Sequence, residues 1–182
     1  MNRTIWTPTL AWLGAASAAL VLAMAAPSES NVMGSLPALT AKRLDQQRIV
    51  LMRGPSDRTL ALVAFHPDQR GQIQSWIQGL RLHQHSSIPW VKMPVLNDPG
   101  DEPTRQAIEK ALLERHSTES ARARLVPVFT NRQAFIRAAG LSGTQQASVL
   151  VLDRDGKVLA RAEGAYHADK AQALRETLLA QD

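Results

Sequence analysis

The chain of 182 residues contains no cysteine. Without a thiol it can form no disulfide bond, carry no lipid on a cysteine and perform no thiol–disulfide exchange. This absence excludes disulfide reduction and thiol-dependent peroxide reduction from its functions. An exported protein of this composition depends on its hydrophobic core alone for stability.

Aromatic residues and clustered charges are also scarce. Phe, Trp and Tyr make up 4% of the chain, and the net charge of +5 comes from dispersed Lys and Arg residues. Nucleic-acid binding is typical of basic runs with interleaved aromatic residues, and the chain has none, so we predict no nucleic-acid partner. No G-x-S-x-G motif frames a serine, which argues against a hydrolase of that kind. We expect no cofactor.

The N-terminus has the pattern of an export signal. Arg3 precedes a low-charge stretch that is rich in Ala, Leu, Val and Trp, and Ala23-Met24-Ala25 has the small-x-small form that signal peptidase accepts. We expect residues 1–25 to be a cleaved signal peptide and residues 26–35 to be flexible. The alternative is an uncleaved anchor, because the apolar stretch approaches the roughly 20 residues that span a bilayer. With a cleaved signal we expect the protein to be periplasmic. With an uncleaved segment we expect it to be anchored in the inner membrane through this segment only.

The first half of residues 36–182 alternates between strand and helix patterns. Residues 36–51 predict a hairpin or an entry strand, and residues 58–65 form a near-continuous apolar run that predicts a buried central strand. Pro67 and Asp68 suit the first turn of a helix over residues 69–82, with Ile73, Trp76, Ile77 and Leu80 on one apolar stripe. Residues 90–96 predict the next strand, and Pro94 places it at a sheet edge or marks a bulge.

The second half continues the alternation. A helix is expected from Pro103, with Ile108, Ala111 and Leu112 facing inward, followed by a polar, solvent-facing stretch over residues 116–124. Residues 125–129 predict a short strand, and a short helix follows between an Asn131 N-cap and Gly140. Residues 149–179 predict a strand, a tight turn, a second strand and an amphipathic helix. This order predicts a mixed sheet that is covered by helices.

The segment ASVLVLDRDGKVLARAEGAYHADKAQALRETL, from Ala147, resembles the closing part of the thioredoxin-like superfamily in its peroxiredoxin and periplasmic thiol-reductase branch. The match comprises a strand, a D-x-D-G turn, a strand, a glycine and a terminal helix, and the resemblance covers about residues 36–179. It implies an α/β fold, the thioredoxin-like mixed central sheet flanked by helices.

The resemblance also locates a candidate site. In that family the catalytic thiols follow the first central strand, where this chain reads His66-Pro67-Asp68-Gln69-Arg70. The family's proline before the hairpin strand, which usually has a cis peptide bond and contacts substrates, maps to Ala147. In outline the chain is similar to the thioredoxin-like assembly factor of the mitochondrial ATP synthase membrane sector and to small periplasmic thioredoxin-like proteins. This similarity implies a binding or assembly task on another envelope or membrane protein.

We therefore predict that the turn over residues 66–70 stands next to the Ala147 segment and that the two form one exposed, partner-binding face, with a solvated turn as the alternative. Its candidate residues are His66, Asp68, Arg70, Gln146, Ala147 and Ser148, with Trp90 as a half-exposed aromatic anchor. The alternative for Trp90 is a place in the core. Trp76 is expected in the core.

Histidines suggest a second type of site. On an extended segment His83 and His85 would point to one side and could share a divalent ion, although zinc usually needs three or four ligands. A polar loop is the alternative, and a metal-binding protein or enzyme is the alternative function.

Overall fold

The computed structural model describes residues 34–36, 40–42, 48–50, 58–85 and 88–180. All of these belong to the unit Met33–Asp182. The predicted signal peptide or anchor lies outside the described residues, as does the segment predicted to be flexible except for Gly34 and Ser35. None of the helices among the described residues has both the length and the apolar character needed to span a bilayer.

Two short strands, β1 (Thr40–Lys42) and β2 (Arg48–Val50), pair in antiparallel orientation, which confirms the hairpin and not the single entry strand. The main sheet contains β3 (Arg58–Ala64), β4 (Trp90–Asn97), β5 (Val128–Thr130), β6 (Ser148–Asp153) and β7 (Val158–Glu163). The helices are α1 (Arg70–Gly79), α2 (Glu102–Arg115), α3 (Glu119–Ala123), α4 (Arg132–Ala139) and α5 (Ala168–Leu179), and a 3-10 turn over Pro67–Gln69 precedes α1.

The main sheet is mixed, as predicted. Its five strands lie in the order β5-β4-β3-β6-β7, so β3 is central. β3 pairs in parallel with β4, and β4 with β5, because each of these connections contains a helical crossover. β6 is antiparallel to both β3 and β7. The carboxyl end of β3 and the start of β6 therefore meet at one end of the sheet.

Buried side chains form one cluster on each face of the sheet. α4 covers the first cluster, where the Phe65 and Phe135 rings meet edge to face with centroids 6.1 Å apart. α1 and α5 cover the second cluster, to which Trp76 and Leu174 belong. Trp76 is completely buried, which confirms its predicted place in the core. The two helix layers explain why β3 and β6 read as near-continuous apolar runs.

The expectation that Pro94 marks an edge strand is wrong, because β4 lies between β3 and β5. Lys92 bridges Leu125 and Val95 pairs with Val128, so the register is the same on both sides of Pro94 and the strand needs no bulge. Pro94, which has no N–H to donate, lies between these two pairs of residues. An interior strand tolerates the proline because the ladder is interrupted there.

α1 ends at Gly79, earlier than the predicted Leu82. The Leu82 N–H donates to the Ile77 carbonyl at 3.0 Å, and the Arg81 N–H donates to the Gln78 carbonyl at 3.0 Å. Arg81 has a φ of 51°. These are the two hydrogen bonds and the left-handed residue of a Schellman motif, with arginine where glycine is usual.

The region between β4 and β5 departs most from the prediction. The predicted inward residues Ile108, Ala111 and Leu112 are only half-buried, and no residue of α2 is buried. Helix α3 lies within the stretch predicted to be merely polar, and Thr118 caps it by accepting a hydrogen bond from the Ala121 N–H at 3.3 Å. The N-cap threonine stabilises this single helical turn, which lacks the apolar stripe from which a helix could have been predicted.

Candidate functional site

The turn between β3 and α1 presents the side chains that the sequence singled out. His66 has an extended backbone (φ −137°, ψ 149°), and Pro67 begins the 3-10 turn. The fixed φ of proline suits this position, where its missing N–H has no helical partner. The side chains of His66, Asp68 and Arg70 are exposed.

Gln69 is the residue in this turn that sequence reasoning did not select. Its side chain is 4% exposed. Its Oε1 accepts hydrogen bonds from the backbone N–H groups of Phe65 at 2.8 Å and His66 at 3.3 Å. Its Nε2 donates to the Thr144 carbonyl at 2.6 Å. A glutamine three residues after an N-cap is the pattern of a capping box and was the available signal.

Gln72 makes a second bridge to the same segment. Its Oε1 accepts a hydrogen bond from the Ala147 N–H at 2.7 Å. Ala147 directly precedes β6, and its carbonyl accepts from the Gly164 N–H at 2.8 Å. The prediction that the 66–70 turn stands beside the Ala147 segment is confirmed, and two glutamine side chains hold the segments together.

The exposure of the candidate residues differs across this face. Gln146 is exposed, as are the side chains of the turn. Ala147 and Ser148 are completely buried, so the expectation that they form an exposed face is wrong. Ala147 packs in the second core cluster, and Ser148 begins β6 between Val63 and Glu163, where its Oγ finds no hydrogen-bond partner among the described residues.

The expectation of a half-exposed anchor at Trp90 is also wrong, and the alternative of a place in the core is confirmed, because its side chain is 3% exposed. The Arg124 guanidinium lies over the indole ring at 4.5 Å, and the His83 ring meets it edge to face at 5.4 Å. The indole N–H donates to the Leu82 carbonyl at 3.2 Å. These neighbours cover the indole ring, and Trp90 lies in the second core cluster.

The histidine pair does not lie on an extended segment. Residues 81–84 form a turn after α1, and His83 packs against Trp90. Across the described ranges, no group of three or more His, Cys, Asp or Glu side chains could hold a metal ion. His83 and His85 therefore lack the geometry from which a shared ion was inferred.

Lys92 introduces an unusual charge beside this site. It lies in β4, two residues after Trp90 and therefore on the same face of the sheet, and it is half-buried. Burial lowers the pKa of Lys92 below its ordinary 10.5, and the positive charge of Arg70 lowers it further. Arg70, the first residue of α1, thus acts unfavourably on the charge of Lys92 in the middle of β4.

No family profile and no curated protein sequence matches the chain. Solved structures do match. A candidate electron transfer protein from Aquifex aeolicus is 12% identical with a TM-score of 0.56 over 81% of this chain and 98% of that chain. A candidate electron transport protein from the same organism gives 11% identity and a TM-score of 0.56 over 81% and 98%.

The thioredoxin domain of a thiol-disulfide oxidoreductase from Bacteroides vulgatus is 13% identical, with a TM-score of 0.49 over 80% of this chain and 96% of that chain. At identities this low, the likeness of the Aquifex aeolicus structures shows the fold alone, and function must be argued from the site. The mixed five-stranded sheet with helices on both faces agrees with the two Aquifex aeolicus structures. The chain has a thioredoxin-like fold without a cysteine.

Proposed function

We propose that this protein is an exported, non-catalytic thioredoxin-like module that binds another envelope protein or assists its assembly. The observation that carries the proposal is the pair of glutamine bridges between the 66–70 turn and the segment before β6. Electron transfer through thiols, the chemistry of many proteins of this fold, is excluded by the absence of cysteine.

The bridges support a binding role because they order the face before any partner arrives. Ordering loops during association costs free energy, and a face that is already fixed avoids this cost. Gln69 and Gln72 use their side chains to hold backbone groups, which leaves His66, Asp68, Arg70 and Gln146 exposed above them. These exposed side chains offer one acidic and one basic group to a partner.

The N-terminal pattern supports export. A small-x-small motif follows the apolar stretch and suits signal peptidase. Protein recovered from the periplasm should therefore begin at Ala26. Intact Met1 in the membrane fraction would establish the anchored form instead, and intact Met1 in the cytoplasm would contradict export.

The binding role is tested by capture from the envelope with a tagged protein. We expect the double variant His66→Ala with Arg70→Ala to lose the partner, identified by mass spectrometry, while its melting curve is unchanged. Both side chains are exposed, and such substitutions usually change stability by no more than about 0.5 kcal/mol.

The matched control is Gln133→Ala with Arg137→Ala, on the exposed side of α4 on the opposite face of the sheet. It removes the same kind of charge and should leave capture intact. Undiminished capture by a folded His66→Ala and Arg70→Ala variant would remove this face from the proposal. Equal loss in both double variants would show a general effect of charge.

A further inference from the structure

Two basic side chains meet on one indole ring at the start of β4. The His83 and Trp90 rings lie edge to face with centroids 5.4 Å apart, and the Arg124 guanidinium lies 4.5 Å from the centroid of the same indole. The indole N–H donates to the Leu82 carbonyl at 3.2 Å, which holds the turn over residues 81–84 against this ring. The ring therefore joins the turn after α1 to the segment after α3, and stacking on it orients the Arg124 guanidinium.

The same turn presents Arg81 at a cost in backbone free energy. Arg81 has a φ of 51°, and among the described residues it is the one residue other than glycine with a positive φ. Glycine adopts this conformation without the steric clash of a Cβ. The Arg81 side chain is exposed, and it makes no hydrogen bond or ion pair in the described part of the chain that would offset the cost. A backbone outlier of this kind indicates a function for the side chain.

We call Arg81, His83, His85 and Arg124 the basic surface. The segments that supply it, residues 81–85 and 121–126, contain no Asp or Glu. No described carboxylate forms an ion pair with Arg81 or Arg124. The N–H donors of both guanidinium groups therefore remain available to an anionic partner.

The basic surface lies at the end of the sheet opposite the partner-binding face. Trp90 begins β4 and pairs with Leu60 near the start of β3, whereas the 66–70 turn follows the end of β3. A partner on one end would therefore leave the other end accessible.

Residues 34–36 lie at the same end of the sheet as Trp90. The Leu36 N–H donates to the Gly156 carbonyl at 2.8 Å, in the turn that follows β6, and β6 ends opposite the start of β3. If residues 1–25 remain as an anchor, the alternative to a cleaved signal, they join the domain to a bilayer through this entry point.

We propose that the basic surface binds the anionic headgroups of a lipid bilayer. Guanidinium groups match phosphate oxygens in charge and in geometry, and basic residues near an anionic bilayer attract it. A bilayer presents many headgroups, so Arg81 and Arg124 need to share one end of the molecule and not a single ligand atom. Contact at this end directs the partner-binding face away from the bilayer. The inference goes beyond the proposed function, which does not depend on it.

The direct test is sedimentation with lipid vesicles. It uses the chain from Ala26, because residues 33–182 form a compact unit of their own and binding must then come from this unit. We expect binding to phosphatidylglycerol vesicles diluted with phosphatidylcholine, no binding to phosphatidylcholine alone, and weaker binding as the ionic strength rises. The variant Arg81→Gln with Arg124→Gln should bind about thirtyfold more weakly, since each arginine contributes about fivefold.

The matched control is Lys110→Gln with Arg137→Gln, at exposed positions of α2 and α4. It removes the same charge and should bind like wild type. If the two double variants bind phosphatidylglycerol equally, or if the wild-type protein binds neither kind of vesicle, the proposal is wrong.

Arg81→Gly separates binding from folding. Glycine relieves the positive φ, so the melting temperature should rise, whereas binding to phosphatidylglycerol vesicles should fall about fivefold. A stabilised Arg81→Gly that binds like wild type would remove Arg81 from the surface and overturn the proposal as stated.

The absence of cysteine allows a single spin label to report the orientation. A label on Gln84→Cys, at an exposed position of the turn, should become shielded from a water-soluble relaxation agent when phosphatidylglycerol vesicles are added. A label on Gln146→Cys, on the partner-binding face, should stay accessible. Equal shielding of both labels, or shielding of the second label alone, would contradict binding through the basic surface.

Discussion

The side-chain amide of Gln69 donates a hydrogen bond to the Thr144 carbonyl at 2.6 Å, which joins residues 75 positions apart in the sequence. Its oxygen accepts from the Phe65 N–H at the end of the central strand. One buried side chain therefore provides hydrogen-bond partners for backbone groups of two loops that are not paired as strands. A buried backbone group without a partner is costly, so the bridge restricts both loops.

Gln69→Ala should lower the free energy of unfolding by about 1–3 kcal/mol, because the Phe65 N–H and the Thr144 carbonyl would both lose their partner. Urea unfolding monitored by tryptophan fluorescence measures this change. Gln74→Ala, an exposed position on α1, is the control and should stay within about 0.5 kcal/mol of wild type. Equal midpoints for the two variants would show that the bridge contributes nothing.

Ile77→Ala tests the inward stripe of α1. The Ile77 side chain is 1% exposed, so truncation leaves a cavity and should cost about 2–5 kcal/mol. The neighbouring Gln78 is exposed, and Gln78→Ala should be nearly neutral on the same denaturant curve. A loss below about 1 kcal/mol in Ile77→Ala would mean that the stripe does not pack as described.

The two glycines of α1 should respond to alanine in opposite directions. A Cβ at Gly71 would meet no atom within 4 Å, so Gly71→Ala should stabilise the helix by about 0.5–1 kcal/mol. A Cβ at Gly79 would lie 2.5 Å from the Tyr166 ring, which packs edge to face on Trp76 at 5.3 Å. Gly79→Ala should therefore destabilise by about 1–3 kcal/mol.

Melting temperatures of the two glycine variants, measured side by side, provide the comparison. Replacing Tyr166 with leucine in the Gly79→Ala background should recover part of the loss, because the clash is with the ring. A stabilised Gly79→Ala would show that Tyr166 can move away without cost.

Lys92→Met should raise stability at neutral pH. The pKa of Lys92 is lowered in the folded protein, first by burial and then by Arg70, so the folded state disfavours the charged ammonium. Between this lowered pKa and 10.5 the unfolded chain binds more protons, and stability therefore rises with pH in that window. Below this pH window the free-energy cost of holding a charged Lys92 in the folded protein is fully present, and above the window it is gone.

The gain of Lys92→Met over wild type should consequently shrink as the pH rises towards 10.5. Urea unfolding of both proteins across this range, in buffers without phosphate, measures the difference. Lys110→Met, at an exposed position, should show no such trend. A constant difference between Lys92→Met and wild type at every pH would contradict a charge effect.

Local chemistry explains which elements the sequence could predict. The Asn131 side chain caps α4 by accepting from the Ala134 N–H at 2.9 Å, and Gly140 ends it with a φ of 66°. Both signals depend on residues that are adjacent in sequence. The central strand β3 was also predictable from adjacent residues, because burial on both faces makes its sequence a near-continuous apolar run.

The missed features depend on distant partners. Trp90 is buried because Arg124 covers it, and no pattern around Trp90 contains that contact. In the sequence Gln69 looks like any other polar residue of an exposed turn, because its partner Thr144 is 75 positions away. The end of α1 at Gly79 was missed because the left-handed residue that follows the helix is Arg81, and an arginine does not signal a helix end as a glycine does.

The proline-interrupted pairing of β4 and β5 also bears on self-association. β5 is an outer strand of the main sheet, and outer strands can recruit strands from other molecules and so start aggregation. The Val126 N–H points inward to Lys92, so the alternate positions Leu125 and Pro127 face outward. The Leu125 N–H is already bonded to the Arg122 carbonyl, and Pro127 has no N–H to donate. A second molecule therefore finds no free backbone donor at these two positions, and the edge that another strand could pair with is shortened to β5 itself.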